Sequence, residues 1–145
     1  MAINTASAAI SFARELEESG ARFYEGLAQE YPQNKDLFLS LATENRKNVA
    51  QVERAYYSVI SDAIEGCFAF NITPEKYVLK TELPAGGYAG AVKRAIEIEE
   101  TMVTFYSEAA EQSKCLLADV PQALALIGRK RNARQTTLKS LLGKG

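Results

Sequence analysis

The chain has 145 residues, a net charge of -1 from 17 Lys and Arg against 18 Asp and Glu, 47% hydrophobic and 24% charged residues. This length predicts one domain over 1–145 with a core that needs no staples, and the balanced charge gives no reason to expect nucleic acid or an acidic surface as partner. No run approaches the roughly 18 apolar residues of a membrane span, no basic-then-apolar leader opens the chain, and Cys67 and Cys115 lack metal-type spacing. The expected setting is therefore cytoplasmic, with reduced thiols and no membrane contact.

In chain order, Thr5 or Ser7 can cap a first helix that runs toward Glu30. Tyr31-Pro32 then interrupts it, because proline disfavours helical backbone in the residue before it. Asn34 or Asp36 opens a second helix predicted to reach about Glu65, with Gly66 as its stop. Periodicity is lost from Gly66 to Gly87, where Pro74, Pro84 and Gly86-Gly87 punctuate a link too long for a simple hairpin turn. Thr73-Pro74-Glu75 can start one short helical turn inside it. A third helix is expected from Tyr88 to Ser113, and a fourth from Asp119-Val120-Pro121 to just before Gly143. The predicted class is all-α: a four-helix bundle of two helical hairpins joined by a long crossover that sets helices two and three parallel.

Each helix carries a stripe stepping by three or four residues, the period of one helical face. The stripes are Ile10, Ala13, Glu17, Gly20, Tyr24, Leu27; Phe38, Leu41, Asn45, Asn48, Val52, Ala55, Val59; Tyr88, Val92, Ala95, Glu99, Met102, Tyr106, Ala109; and Leu124, Ile127, Arg131, Arg134, Leu138, Leu141. Polar residues sit at the centre of all four. A buried charge costs several kcal/mol unless it is paired or binds a metal, so this layer either neutralises itself or holds something. The two halves also match: Glu17-Glu18 with Phe23-Tyr24 returns 82 residues later as Glu99-Glu100 with Phe105-Tyr106, and Asn45 and Asn48 correspond to Arg131 and Arg134. A duplication accounts for the pattern.

A glutamate seven residues before a tyrosine in helices one and three, each followed by a helix with a polar pair three apart, resembles the ferritin-like superfamily and its rubrerythrin-type branch, from about Ala8 to Leu142. The resemblance implies a di-iron site of one glutamate on each of two helices and a Glu-x-x-His on each of the other two. Glu17 and Glu99 stand at the first kind of position. Asn45 and Arg131 stand where the other glutamates would be, and Asn48 and Arg134 where the histidines would be. The chain contains no histidine at all. Arginine offers a metal no lone pair, and a neutral amide is a poor ligand.

The charge count favours a self-neutralising layer in which Arg131 and Arg134 pair with Glu17 and Glu99 while Asn45 and Asn48 fill the remaining hydrogen-bonding needs. On this reading no metal, cofactor or catalytic residue is expected, Tyr24 and Tyr106 are packing residues with hydroxyls turned to the layer, and the role is that of an interaction or scaffold protein, a homodimer or the subunit of an unidentified protein partner. One alternative is a rubrerythrin-like oxidoreductase or iron-handling protein remodelled around Glu18, Glu44, Glu53 or Glu100. Another is a small anion held by Arg131 and Arg134. A glycosidase-like carboxylate pair fits worse, since the arginines would remove the acid. Tyr56-Tyr57 and Phe68-Ala69-Phe70 are expected to anchor packing. The basic run Arg129, Lys130, Arg131, Arg134, Lys139 and Lys144 is a weak case for a phosphate surface, because two of the six point inward.

Overall fold

The structure, a computed structural model, describes residue 3 and residues 6–58, 71–82, 86–112 and 119–144; at 6, 7, 55–58, 119–123, 143 and 144 it describes the backbone alone. Among these residues the regular structure is helical apart from one isolated bridge: α1 (Ala6–Glu30), α2 (Lys35–Ser58), α3 (Gly87–Gln112) and α4 (Asp119–Lys144), with 3-10 turns at Pro32–Asn34 and Pro74–Tyr77. No described helix is long and apolar enough to cross a membrane.

The break after α1 follows from Pro32. Tyr31 leaves helical geometry at ψ 78, and its N–H closes the last turn of α1 on the carbonyl of Leu27 at 2.8 Å. Asn34, expected as a cap for α2, spends its side chain elsewhere: its Nδ2 donates to the hydroxyl of Tyr88 at the start of α3, and α2 begins one residue later. Gly86 and Gly87 adopt φ of 113 and 68, a region open to glycine and costly for residues with a Cβ, and so turn the chain into α3. At the other end, the expected stop at Gly143 is overturned, since α4 continues through it to Lys144. A glycine ends a helix by taking the left-handed conformation, and Gly143 does not take it. The expected end of α2 at Glu65 and Gly66, the cap choice at Thr5 or Ser7, Val59, Cys67, Phe68 to Phe70, Pro84, Ser113 and Cys115 lie outside the described residues or side chains, as do the rings of Tyr56 and Tyr57.

The helices pack most extensively as α1 on α2 and α3 on α4, with α2 against α4 and α1 against α3 closing the core. The link fixes their directions. Ile72 pairs with Ile3 beside the start of α1 through two backbone hydrogen bonds of 2.7 and 2.9 Å, and Asn71 is held by Gln112 at the end of α3. The chain then climbs along α3, where Tyr77 donates to Glu108 and Arg94 donates to the carbonyls of Lys80 and Glu82. Tyr88 arrives beside Tyr31 with ring centroids 5.3 Å apart, at the turn between α1 and α2. Helix α3 thus starts at that turn and ends where α1 begins.

Every described stripe residue is buried except Tyr88 and Leu141, which are partly buried against the core. Helices α1 and α3 bury a second face as well. Leu16, Phe23, Ile98 and Phe105 are covered, and Tyr77 of the link stands edge-on to Phe105 at 5.5 Å, with Phe12 at the same distance on that ring. The link is the lid over this second face.

Candidate functional site

The layer assembles from all four helices at mid-height. Glu17 and Tyr24 lie two turns apart on α1 and Glu99 and Tyr106 two turns apart on α3, so each helix aims a carboxylate and a phenol at the same interior. The phenols cross over. Tyr24 donates to Glu99 at 2.7 Å, and Tyr106 donates to Glu17 at 2.5 Å. This exchange between equivalent residues is the pairing that two halves related by a twofold axis produce. Both phenols resist ionisation: burial raises Tyr24 and Tyr106 well above the ordinary tyrosine range, and the carboxylate each one meets raises it further.

Arg131 of α4 fills the centre. Its Nη1 donates to both oxygens of Glu99 at 2.8 and 2.7 Å, and its Nη2 donates to Glu17 and, at 3.0 Å, to Oδ1 of Asn45. Arg134, one turn on, donates from Nη1 to Asn45 at 2.6 Å and to Glu99 at 3.0 Å, and from Nη2 to Glu44 at 2.8 Å. Its guanidinium also lies over the ring of Tyr24, 5.8 Å from the centroid. Glu17, Asn45, Asn48, Glu99 and Arg131 have no exposure, and Arg134 has 4%. Burial favours neutral arginine, but the charges of Glu99 and Glu17 outweigh it at Arg131 and raise its affinity for the proton; Glu99 does the same for Arg134.

The two carboxylates are served unequally. Glu99 accepts from Tyr24, Arg131 and Arg134, whereas among the described residues Glu17 accepts from Tyr106 and Arg131 alone. Burial would raise Glu99, yet Arg131 and Arg134 hold it below the usual carboxylate range. At Glu17 burial prevails over Arg131 and the Tyr106 hydroxyl, and its carboxyl is pushed up.

Asn45 behaves as expected from its position, accepting from both arginines and donating to the backbone carbonyl of Glu17 at 3.2 Å. That close approach of α1 and α2 requires Gly20, where a Cβ would sit 2.7 Å from Asn45 Nδ2. Asn48 departs from expectation. Both its amide atoms are buried with no protein hydrogen bond, as is Nε of Arg131. The amide is one turn from Asn45 on the same face and does not reach the groups that Asn45 satisfies.

The extra carboxylates divide. Glu44 reaches the layer from its edge through Arg134, although its side chain is 43% exposed. Its neighbourhood to Asn45 hid this role, because a residue offset by about 100 degrees reaches a buried partner only when that partner is as long as arginine. Glu18 instead pairs with Arg46 and Arg22, Glu53 pairs with Arg14, and Glu100 faces outward. Of the basic run, Arg129 and Lys139 are exposed, Lys130 donates to Gln51, and Arg131 and Arg134 are spent inside.

A di-metal centre does not fit these residues. The space between Glu17 and Glu99 is occupied by a guanidinium bonded to both, and among the described residues no group of three or more His, Cys, Asp or Glu is placed to hold a metal ion. Metal entry would require displacing a permanent cation from two carboxylates, and the side chains beyond it are amides and a second guanidinium. Compared with known proteins, the chain matches no family model, no curated protein and no solved structure.

Proposed function

We propose that this chain is a non-catalytic, ferritin-like protein of the rubrerythrin type: one helical domain, two hairpins joined by a crossover, in which a Glu, Asn and Arg network stands where a di-iron site would be. The observation that carries this reading is Arg131, whose single guanidinium bridges Glu17 and Glu99 at the centre of the helices. Two carboxylates and two arginines sum to zero charge, and every carboxylate oxygen of the pair accepts a hydrogen bond. Such a layer holds the helices in register and keeps no open position for oxygen or substrate. The role we assign is that of a cytoplasmic interaction or scaffold subunit, acting as a homodimer.

The test is metal content. Protein purified without chelator, challenged anaerobically with ferrous iron and with manganese and then desalted, is expected to retain neither by mass spectrometry. Near-stoichiometric retention would overturn the reading in favour of a remodelled metalloprotein. Light scattering after size exclusion checks the oligomer separately: twice the chain mass of 15.9 kDa is expected, and a monomer across the concentration range would remove the homodimer.

A further inference from the structure

The polar layer has one unfinished edge. Among the described residues, three buried side-chain polar atoms lack a partner, and they belong to two residues of this layer: Nδ2 and Oδ1 of Asn48, and Nε of Arg131. Buried amides left without partners are rare because their desolvation goes uncompensated, and native proteins meet that need with protein groups or with enclosed water.

The pairings on either side of Asn48 place it at the level of Arg131. On the facing surfaces of α2 and α4, Asn45 bonds to Arg131 and Gln51 bonds to Lys130. Asn48 lies midway between Asn45 and Gln51 on α2, so it stands opposite the stem of Arg131, where the Nε–H is carried. The other nitrogens of that guanidinium are consumed by Glu17, Glu99 and Asn45. What remains is two kinds of N–H donor and one carbonyl acceptor, all buried.

We infer that Asn48 and the Arg131 Nε–H form a binding site for a single enclosed water molecule. The water accepts from Arg131 Nε–H and from the Asn48 amide N–H, and donates to Asn48 Oδ1 or its surroundings. An anion is disfavoured, because the charge of both arginines is already matched by Glu17 and Glu99 and because Oδ1 would face it. Water, which both donates and accepts, suits the set. Asn48 thereby acquires a role distinct from that of Asn45: Asn45 completes the arginines directly, and Asn48 completes Arg131 through solvent.

This inference rests on the layer being filled by the network, a reading that metal content tests on its own. The water is sought by NMR on the full chain labelled with 15N and 13C. Cross peaks at the water frequency, with NOE and ROE of opposite sign, are expected at the Asn48 side-chain amide and at Arg131 Hε. They should persist in Tyr106→Phe, which removes relay through that exchanging hydroxyl. Absence of the peak at either group would overturn the site. Asn48→Leu supplies a measurement of opposite sign for the two cases. If water bridges the pair, leucine expels it and strands Nε, and Tm falls by at least about 3 °C. If the amide is dry, leucine removes two unsatisfied atoms and Tm rises, which rejects the inference.

Discussion

The α1–α2 hairpin and the α3–α4 hairpin contribute the same glutamate and the same tyrosine in the same order, yet their second helices differ in kind. Helix α2 brings two neutral amides to the layer, and α4 brings two guanidiniums. All positive charge at the centre therefore enters from one side. Its effect appears at the carboxylates: Glu99 is held below the usual range by two arginines, and its counterpart Glu17 is pushed above it by burial, which its hydrogen bonds from one arginine and one phenol do not offset. Equivalent residues in a repeated frame have been given unequal environments by substitutions on the helices opposite them.

The sharpest way to break this asymmetry is to remove its source. Arg131→Ala leaves Glu17 buried with only the Tyr106 hydroxyl and leaves Glu99 to Arg134 and Tyr24, and the loss of one partner of a buried ion pair costs about 3–5 kcal/mol. Urea denaturation is expected to show a loss of that size, and unchanged stability would mean that the carboxylates have other partners. Replacing Glu17, Glu99, Arg131 and Arg134 together with well-packed apolar residues, with Tyr24 and Tyr106 changed to Phe and Asn45 to Leu so that their buried polar atoms are not stranded, is expected to be neutral or stabilising, since no buried charge or hydrogen-bonding group loses its partner. The contrast between single and joint replacement separates the value of the network from the penalty of half of it.

A second comparison is between the two phenols. Among the described residues, Tyr106 is one of two groups whose side chains donate to the Glu17 carboxylate, while Tyr24 is one of three that donate to Glu99. Hydrogen bonds to charged groups contribute about 1.5–3 kcal/mol, and Tyr106→Phe is expected at the upper end of that range with Tyr24→Phe at the lower. Equal losses in paired denaturation curves would contradict the unequal sharing of donors.

Glycines of α1 test the geometry from the backbone. A Cβ at Gly20 meets Asn45 Nδ2 at 2.7 Å and must dislodge the amide that bonds to both arginines, whereas a Cβ at Gly26 meets nothing within 4 Å. Gly20→Ala is expected to cost about 1–3 kcal/mol, as overpacking does. Gly26→Ala is expected to stabilise by up to about 1 kcal/mol, the helix propensity gained. Two identical substitutions six residues apart should thus move Tm in opposite directions.

Much of this was legible in the spacing of residues. The stripes carried the identity of the core and of the polar layer because a helix has one period and these stripes keep it, polar residues included. Charge counting carried the pairing of Arg131 with two glutamates. The second buried face of α1 and α3 was less visible: Leu16, Phe23, Ile98 and Phe105 look like ordinary scattered apolar residues until the aperiodic link lies over them. The opposite direction of α3 and α1 followed from the expected crossover, but the choice of acceptor by each phenol did not, since it depends on the relative height of the two helices. The solitary amide of Asn48 was not foreseeable, since sequence fixes which face a residue occupies but not whether a partner atom lies within 3 Å of it.

The smallest effect is the pH dependence, because the two carboxylates act in opposite directions. Glu17 is raised, so between the ordinary glutamate range near about pH 4.3 and its own higher value the folded protein holds more protons than the unfolded chain. Its contribution is complete below that ordinary value and is lost as pH rises through the raised one. Glu99 is lowered, so its contribution is present above the ordinary value and is lost as pH falls through the lowered one. Together they place the layer's optimum at mildly acidic pH, where one has gained and the other has not yet lost. Glu25, lowered by its hydrogen bond to Arg46 at the surface, adds a background on the acid side that substitutions in the layer leave alone. Glu17→Gln removes the rising-pH loss and retains the falling-pH loss, so subtracting its urea-denaturation profile from the parent's isolates the difference. The parent should gain relative to the variant as pH falls from 7 toward that ordinary range, with no further gain below it. A difference that is flat, or that grows with rising pH, would mean that Glu17 is as well paired as Glu99 and that the two halves are electrostatically alike.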